Sequence, residues 1–131
     1  MEKVGKEICL DSDVLIDLIN GDKSILNWFQ DYKISITSIS SFEFALGNIT
    51  TEEANELLAP FNILSLNKKE SILAADIFKK LNKKALGLDF RDIMIASICI
   101  SNNVSLLTKN FKHFERLKEY GLKLFEGGKD K

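Results

Sequence analysis

Short apolar runs alternate with longer amphipathic ones along the chain, and that alternation predicts an ordered series of strands and helices. Ile8, Cys9 and Leu10 predict a buried strand. A helix over 12–20 follows, with Val14, Leu15, Ile16, Leu18 and Ile19 inward and a stop near Gly21. Ile25, Leu26, Trp28 and Phe29 predict a second helix, and "KISITS" alternates as a strand does. "SSFEFALG" predicts a short helix ended by Gly47, and "TTEEANELLAPF" a helix capped by Thr50 or Thr51 and closed by Pro60. "NILSL" is the third predicted strand. A long amphipathic helix over 69–83 should turn Ile72, Leu73, Ala75, Ile77, Phe78 and Leu81 inward. "DFRDIMIASICISNN" is apolar enough to predict a helix buried on most sides. Last come a strand at "VSLLT", a helix at "FKHFERLKEY" ended by Gly121, a strand at "LKLF" and a frayed tail over 126–131. There is no internal repeat and no low-complexity segment.

Strands alternating with helices predict an α/β domain with a mainly parallel central sheet flanked by helices, a three-layer α/β/α sandwich. At 131 residues the chain predicts one domain over 1–131. A hydrophobic fraction of 45% and a single proline fit a folded globular protein. No apolar run reaches the ~20 residues that span a bilayer, which predicts no membrane segment. The polar, charged stretch from Met1 to Glu7 predicts no signal peptide. Cys9 and Cys99 lie in apolar runs without metal-site spacing, so they predict buried reduced thiols and a cytoplasmic protein. A formal net charge of −1 argues against a strongly basic nucleic-acid wrapper and leaves room for local basic patches.

Sites in parallel α/β sheets form beyond the carboxyl ends of the strands. Asp11 directly follows the first predicted strand, Glu43 follows "ISITS", and Lys109 and Asn110 follow "VSLLT". Asp92 sits early in the apolar helix after Asp89. Each acid has an ordinary explanation. Asp11 can cap the first helix, and Asp89 and Asp92 can form a capping box at theirs. Glu43, between Phe42 and Phe44, is harder to explain as a solvated residue. Carboxylates brought together repel and raise one another's pKa, and the usual balance is a divalent cation with oxygen ligands. With one isolated His and no Cys set, zinc is disfavoured, while hard carboxylates suit Mg²⁺ or Mn²⁺. Such ions bind phosphate oxygens, which points to phosphodiester hydrolysis.

Three blocks in order carry a resemblance. "LDSDVLIDLING", "ITSISSFEFALG" and "DIMIASICISNNVSLLTKNFKHFERL" resemble the conserved blocks of the PIN-domain nucleases, especially the VapC-type toxins of toxin–antitoxin pairs. The resemblance covers nearly the whole chain and implies a PIN-like three-layer fold. It implies Asp11, Glu43 and Asp92 as carboxylate ligands of Mg²⁺ or Mn²⁺. The family's fourth acidic position falls at Asn110, which keeps a carbonyl oxygen, and a further acid often stands where this chain has His113. Ser12 and Thr108 are polar companions able to hydrogen-bond the carboxylates, and Asp13 can face solvent or cap the first helix.

The family further implies metal-dependent cleavage of RNA, commonly transfer or ribosomal RNA, a small antitoxin partner and a homodimer. Basic residues must offset the acidic site. Lys109, Lys112, Arg116 and Arg91 are the candidate phosphate contacts, with Lys118 and the set Lys79, Lys80, Lys83 and Lys84 as further candidates. Trp28, Phe29 and Tyr32 offer aromatic surface for a groove that an antitoxin segment would fill, or belong to the core. Three alternatives stay open. They are a PIN nuclease of housekeeping RNA processing, a catalytically silent PIN binding module, and a phosphatase-like or response-regulator-like domain using Asp11 as nucleophile.

Overall fold

A computed structural model describes residues 6–28, 31–83 and 89–126. Five strands, β1 (Glu7–Leu10), β2 (Lys33–Thr37), β3 (Asn62–Leu64), β4 (Ser105–Leu107) and β5 (Lys123–Leu124), form one sheet in the order β3-β2-β1-β4-β5. Every pairing is parallel, with Ile8 opposite Ile34 on one side and Ser105 on the other. The helices are α1 (Ser12–Ile19), α2 (Ser38–Ala45), α3 (Thr51–Leu58), α4 (Lys68–Lys83), α5 (Phe90–Asn102) and α6 (Phe111–Glu115). The three-layer arrangement expected from the alternation is the one observed. Among the described residues, no helix is long and apolar enough to cross a membrane.

Alternation along β1 divides the core in two. Ile8 and Leu10 join Val14, Leu15, Ile36 and Leu107 on the α1 face. Cys9 points the other way, to a larger cluster with Ala74, Ile77 and Leu81 of α4 and Ile93, Ile95, Ala96 and Cys99 of α5. Both cysteines are free and buried. The Cys99 thiol and burial together push the Cys9 thiol well above its ordinary pKa, so it stays protonated.

Several elements differ from expectation for visible reasons. The second predicted helix is a 3-10 turn over Lys23–Trp28; the side chains of Ile25, Leu26 and Trp28, like the whole of Phe29, lie outside the described residues. Ile16 is partly exposed instead of inward, because α1 turns only Val14 and Leu15 fully onto the sheet. In α4 the packed stripe is Glu70, Ala74, Ile77 and Leu81, spaced four, three and four residues apart; Ile72 is 60% exposed and Ala75 also lies outside it. The helix predicted over 111–120 breaks into α6 and a 3-10 turn over Arg116–Tyr120 before Gly121, whose φ of 109° suits glycine. Thr50 caps α3 in a full capping box with Glu53. Asn103, at φ 56°, closes α5 in the left-handed conformation that asparagine tolerates. Lys84 and residues 127–131 of the predicted tail lie outside the described residues, as does the side chain of Lys83.

Chain order reverses across β1 and β4: the chain winds outward through β2 and β3, then returns to pair β4 with the other edge of β1. That switch opens a crevice at the carboxyl ends of β1 and β4. Asp11 and Thr108 stand at its two lips, and the ladder extends one step further as Asp11 N–H donates to Leu107 C=O at 2.9 Å.

Candidate active site at the sheet switch point

Asp11 is the most enclosed of the site's acids, 9% exposed. It does cap α1, but its own Oδ1 takes only the adjacent Ser12 N–H at 2.8 Å. Oδ2 accepts the Thr108 hydroxyl at 2.7 Å, and Thr108 Oγ1 in turn accepts Asn110 N–H at 3.0 Å. These bonds orient the carboxylate across the crevice. They do not balance its charge. Burial pushes the Asp11 pKa up, with help from the Asp13 and Glu43 charges, against the lowering effect of Thr108 and Ser12. Asp13 itself is exposed.

Glu43 reaches the same place from α2. Its Oε1 accepts a hydrogen bond from Ser12 Oγ, and its Oε2 lies 3.1 Å from Arg91 Nη1. The start of α2 is stiffened by Thr37, whose side chain caps Ser40 N–H at 3.1 Å, and by Ser40 Oγ, 3.0 Å from Ser12 Oγ. A hydroxyl chain therefore ties the end of β2 to the first turn of α1.

Asp92 enters from the first turn of α5. Asp89 caps that helix through Arg91 N–H at 2.8 Å. The capping box expected with Asp92 is not its role: Asp92 Oδ2 lies 3.1 Å from His113 Nδ1 on α6. Burial raises the Asp92 pKa to about 6, His113 opposes the rise, and the Asp11, Asp89 and Glu43 charges add to it. Asn110 stands beside this pair, its Nδ2 3.4 Å from His113 Nδ1. Three acids from three separate segments thus share one field.

A family model of the PIN domain matches residues 8–120. The chain belongs to the PIN-domain family. It is 33% identical over 127 residues to Ribonuclease VapC1 of Methanocaldococcus jannaschii, covering 96% of this chain and 92% of that protein. Ribonuclease VapC3 of the same organism is 37% identical over 91 residues, 68% of this chain and 94% of that one. Among solved structures, VapBC-1 of nontypeable Haemophilus influenzae superposes with a TM-score of 0.75 at 22% identity, over 90% of this chain and 96% of that one. DNA-bound VapBC of Salmonella typhimurium gives 0.74 at 21% identity, over 92% and 97%. These two likenesses speak to the fold.

In this PIN domain the donor set is oxygen-rich and acidic, the chemistry that suits a hard divalent ion, and the imperfectly balanced burial of Asp11 and Asp92 is what such an ion relieves. Yet among the described residues no three His, Cys, Asp or Glu side chains already converge as a metal-holding group. Glu43 is held by Arg91, and Asp92 by His113.

The basic residues are less available than the sequence suggests. Lys109 is ion-paired with Asp17 of α1. Lys80 pairs with Asp76 at 2.9 Å, and Lys118 lies 3.6 Å from Glu126 and over the Phe111 ring. Arg91 is engaged with two acids, and Arg116 is half-buried. Lys79 and Lys112 are exposed. Tyr32 packs against the smaller core cluster, its ring edge-on to Phe125. Sequence reasoning missed Ser40 and the pairing of His113 with Asp92. The Thr37-to-Ser40 spacing, that of a helix cap, was a usable signal for the first; the second depends on how α6 packs and had none.

Proposed function

We infer that this PIN domain is a divalent-metal-dependent endoribonuclease of the VapC kind, the toxin of a type II toxin–antitoxin pair. One observation carries the reading. Asp11, Glu43 and Asp92, remote in sequence, approach one another at the sheet switch point: Ser12, beside Asp11, donates to Glu43, and the Glu43 charge helps raise the pKa of both Asp11 and Asp92. Relatives matched over nearly their full length and called VapC ribonucleases support it, as does the likeness to VapBC complexes.

Asp11, Glu43 and Asp92 would hold Mg²⁺ or Mn²⁺, with Asn110 contributing an amide oxygen at the fourth position. When bound, the ion supplies charge for the phosphate oxygens and lowers the pKa of the attacking water. Thr108 spends its proton on Asp11 Oδ2 and Ser12 on Glu43 Oε1, so each carboxylate keeps its lone pairs aimed by a neutral donor. Lys109, Lys112, Arg91 and Arg116 flank the site as candidates for the backbone of a structured RNA such as transfer or ribosomal RNA. A small antitoxin, a homodimeric state and a cytoplasmic setting, in keeping with two buried free thiols, belong to the same reading.

The test is cleavage of total RNA by the purified protein with Mg²⁺ or Mn²⁺ against EDTA, beside Asp11→Asn. Discrete metal-dependent fragments absent from the variant are expected. Intact RNA from a folded, antitoxin-free protein would overturn the nuclease reading. Growth arrest on expression, relieved by a co-expressed neighbouring gene, separates a toxin from a housekeeping RNA-processing enzyme.

A further inference from the structure

Glu43 already has a cation, and the chain supplies it. Arg91 Nη1 lies 3.1 Å from Glu43 Oε2, while the rest of the guanidinium forks onto Asp89, with Nη2 2.8 Å from Oδ2 and Nε 3.3 Å from Oδ1. Ser12 takes the other Glu43 oxygen, so both oxygens of that carboxylate are engaged. The two halves of the guanidinium have different standing. The Asp89 side is local, within the cap of α5, and survives any movement of α2. The Glu43 side ties Arg91 to α2 through a single nitrogen. An ion seeking Glu43 must displace that nitrogen, because two cations within a few ångströms of one carboxylate repel.

We propose that Arg91 is a built-in counter-cation for Glu43. It keeps Glu43 from joining Asp11 and Asp92 and gives way on that side as a divalent ion binds, while Asp89 retains it at the rim. The proposal rests on the reading of these acids as metal ligands. It accounts for the geometry in which Arg91 and Ser12 between them engage both oxygens of the Glu43 carboxylate. A purely structural tie between α2 and α5 predicts otherwise. Its loss would slacken Glu43 and weaken ion binding, whereas loss of a competitor tightens it. Arg91 is in this sense a positioning residue for Glu43.

The experiment is a calorimetric Mn²⁺ titration of the wild-type full chain, Arg91→Gln and Arg91→Lys, with thermal unfolding of each in EDTA and in Mn²⁺. Arg91→Gln should bind Mn²⁺ about fivefold tighter or more. It should also melt lower than wild type in EDTA and gain more from Mn²⁺. Arg91→Lys, which keeps the charge without the fork, should shift affinity the same way by less; it carries the test alone if Arg91→Gln does not fold. Unchanged or weaker Mn²⁺ binding in the folded variant would overturn the proposal and leave the metal site standing. Absence of Mn²⁺ binding in wild type and variants alike would remove the metal reading, and the proposal with it.

Discussion

Asp11 and Glu70 are both buried carboxylates near helix N-termini, 9% and 7% exposed, yet their pKa values move in opposite directions. Glu70, in the first turn of α4, accepts the Ser101 hydroxyl at 2.6 Å and Asn67 N–H at 3.2 Å. Led by Ser101, these donors hold its carboxyl below the usual range. Asp11 also has two donors, yet burial prevails and its pKa rises. The difference lies chiefly in burial, the leading cause at Asp11, to which the Asp13 and Glu43 charges add less; at Glu70 the Ser101 hydroxyl leads instead. A locally satisfied carboxylate belongs to the architecture; one left short of balance at a strand end is available for chemistry.

The sharpest way to break this contrast is substitution by the isosteric amide. Asp11→Asn should lower metal-dependent RNA cleavage on the order of a thousandfold, the several kcal/mol that an ion's charge contributes. Glu70→Gln should leave cleavage unchanged. Equal activity of Asp11→Asn and wild type in a fragment assay would erase the distinction.

Next in size is the support beneath Asp11. Thr108→Val removes the donor to Oδ2 and the acceptor for Asn110 N–H at once. Metal affinity or cleavage should fall about 10–100-fold, as for other partners that orient a ligand, with the circular dichroism spectrum preserved. Full activity in the valine variant would mean that Asp11 is oriented by packing alone.

Acidity probes the same contrast without RNA. Because Asp92 is raised from 3.8 to about 6, the folded protein holds a proton that the unfolded chain has released. Stability in EDTA therefore falls as pH rises from 3.8 through 6, by about 2 kcal/mol after allowance for partial solvent access. Denaturant unfolding across that window should show a larger loss in wild type than in Asp92→Asn, where the raised Asp11 still contributes. Identical pH profiles would place Asp92 in a solvated setting. Glu70 runs the other way: its lowered pKa stabilises above the ordinary Glu value of 4.5 and the benefit disappears as pH falls.

The smallest effect expected is at Ser101. Ser101→Ala should cost about 1–2 kcal/mol of stability by stranding Glu70, and should leave Mn²⁺ affinity and cleavage as they were. A change in either would mean that the two carboxylates are coupled through α4 and α5.

Periodicity and caps made most of the architecture readable. Asp11 after an apolar triplet, Thr50 three residues before Glu53, and the run from Ile93 to Cys99 each specify local structure whatever surrounds them. The three ordered blocks already carry the likeness to the PIN-domain family. Element interiors were harder, since Ile72 and Ile77 carry the same side chain and only the docking of α4 onto α5 selects which is covered. The tight turns at Lys23–Trp28 and Arg116–Tyr120 look helical in sequence for the same reason.

The sequence by itself determined the strand and helix order, the parallel α/β class and the identity of the acids at the strand ends, because these depend on spacing within a few residues. Tertiary structure alone decided which groups answer those acids. Arg91 on Glu43, His113 on Asp92 and Thr108 on Asp11 join residues 48, 21 and 97 positions apart. Such pairs exist only once the chain has crossed from β3 to β4 and closed the switch point, since a charge interaction depends on distance in space and leaves no period along the chain.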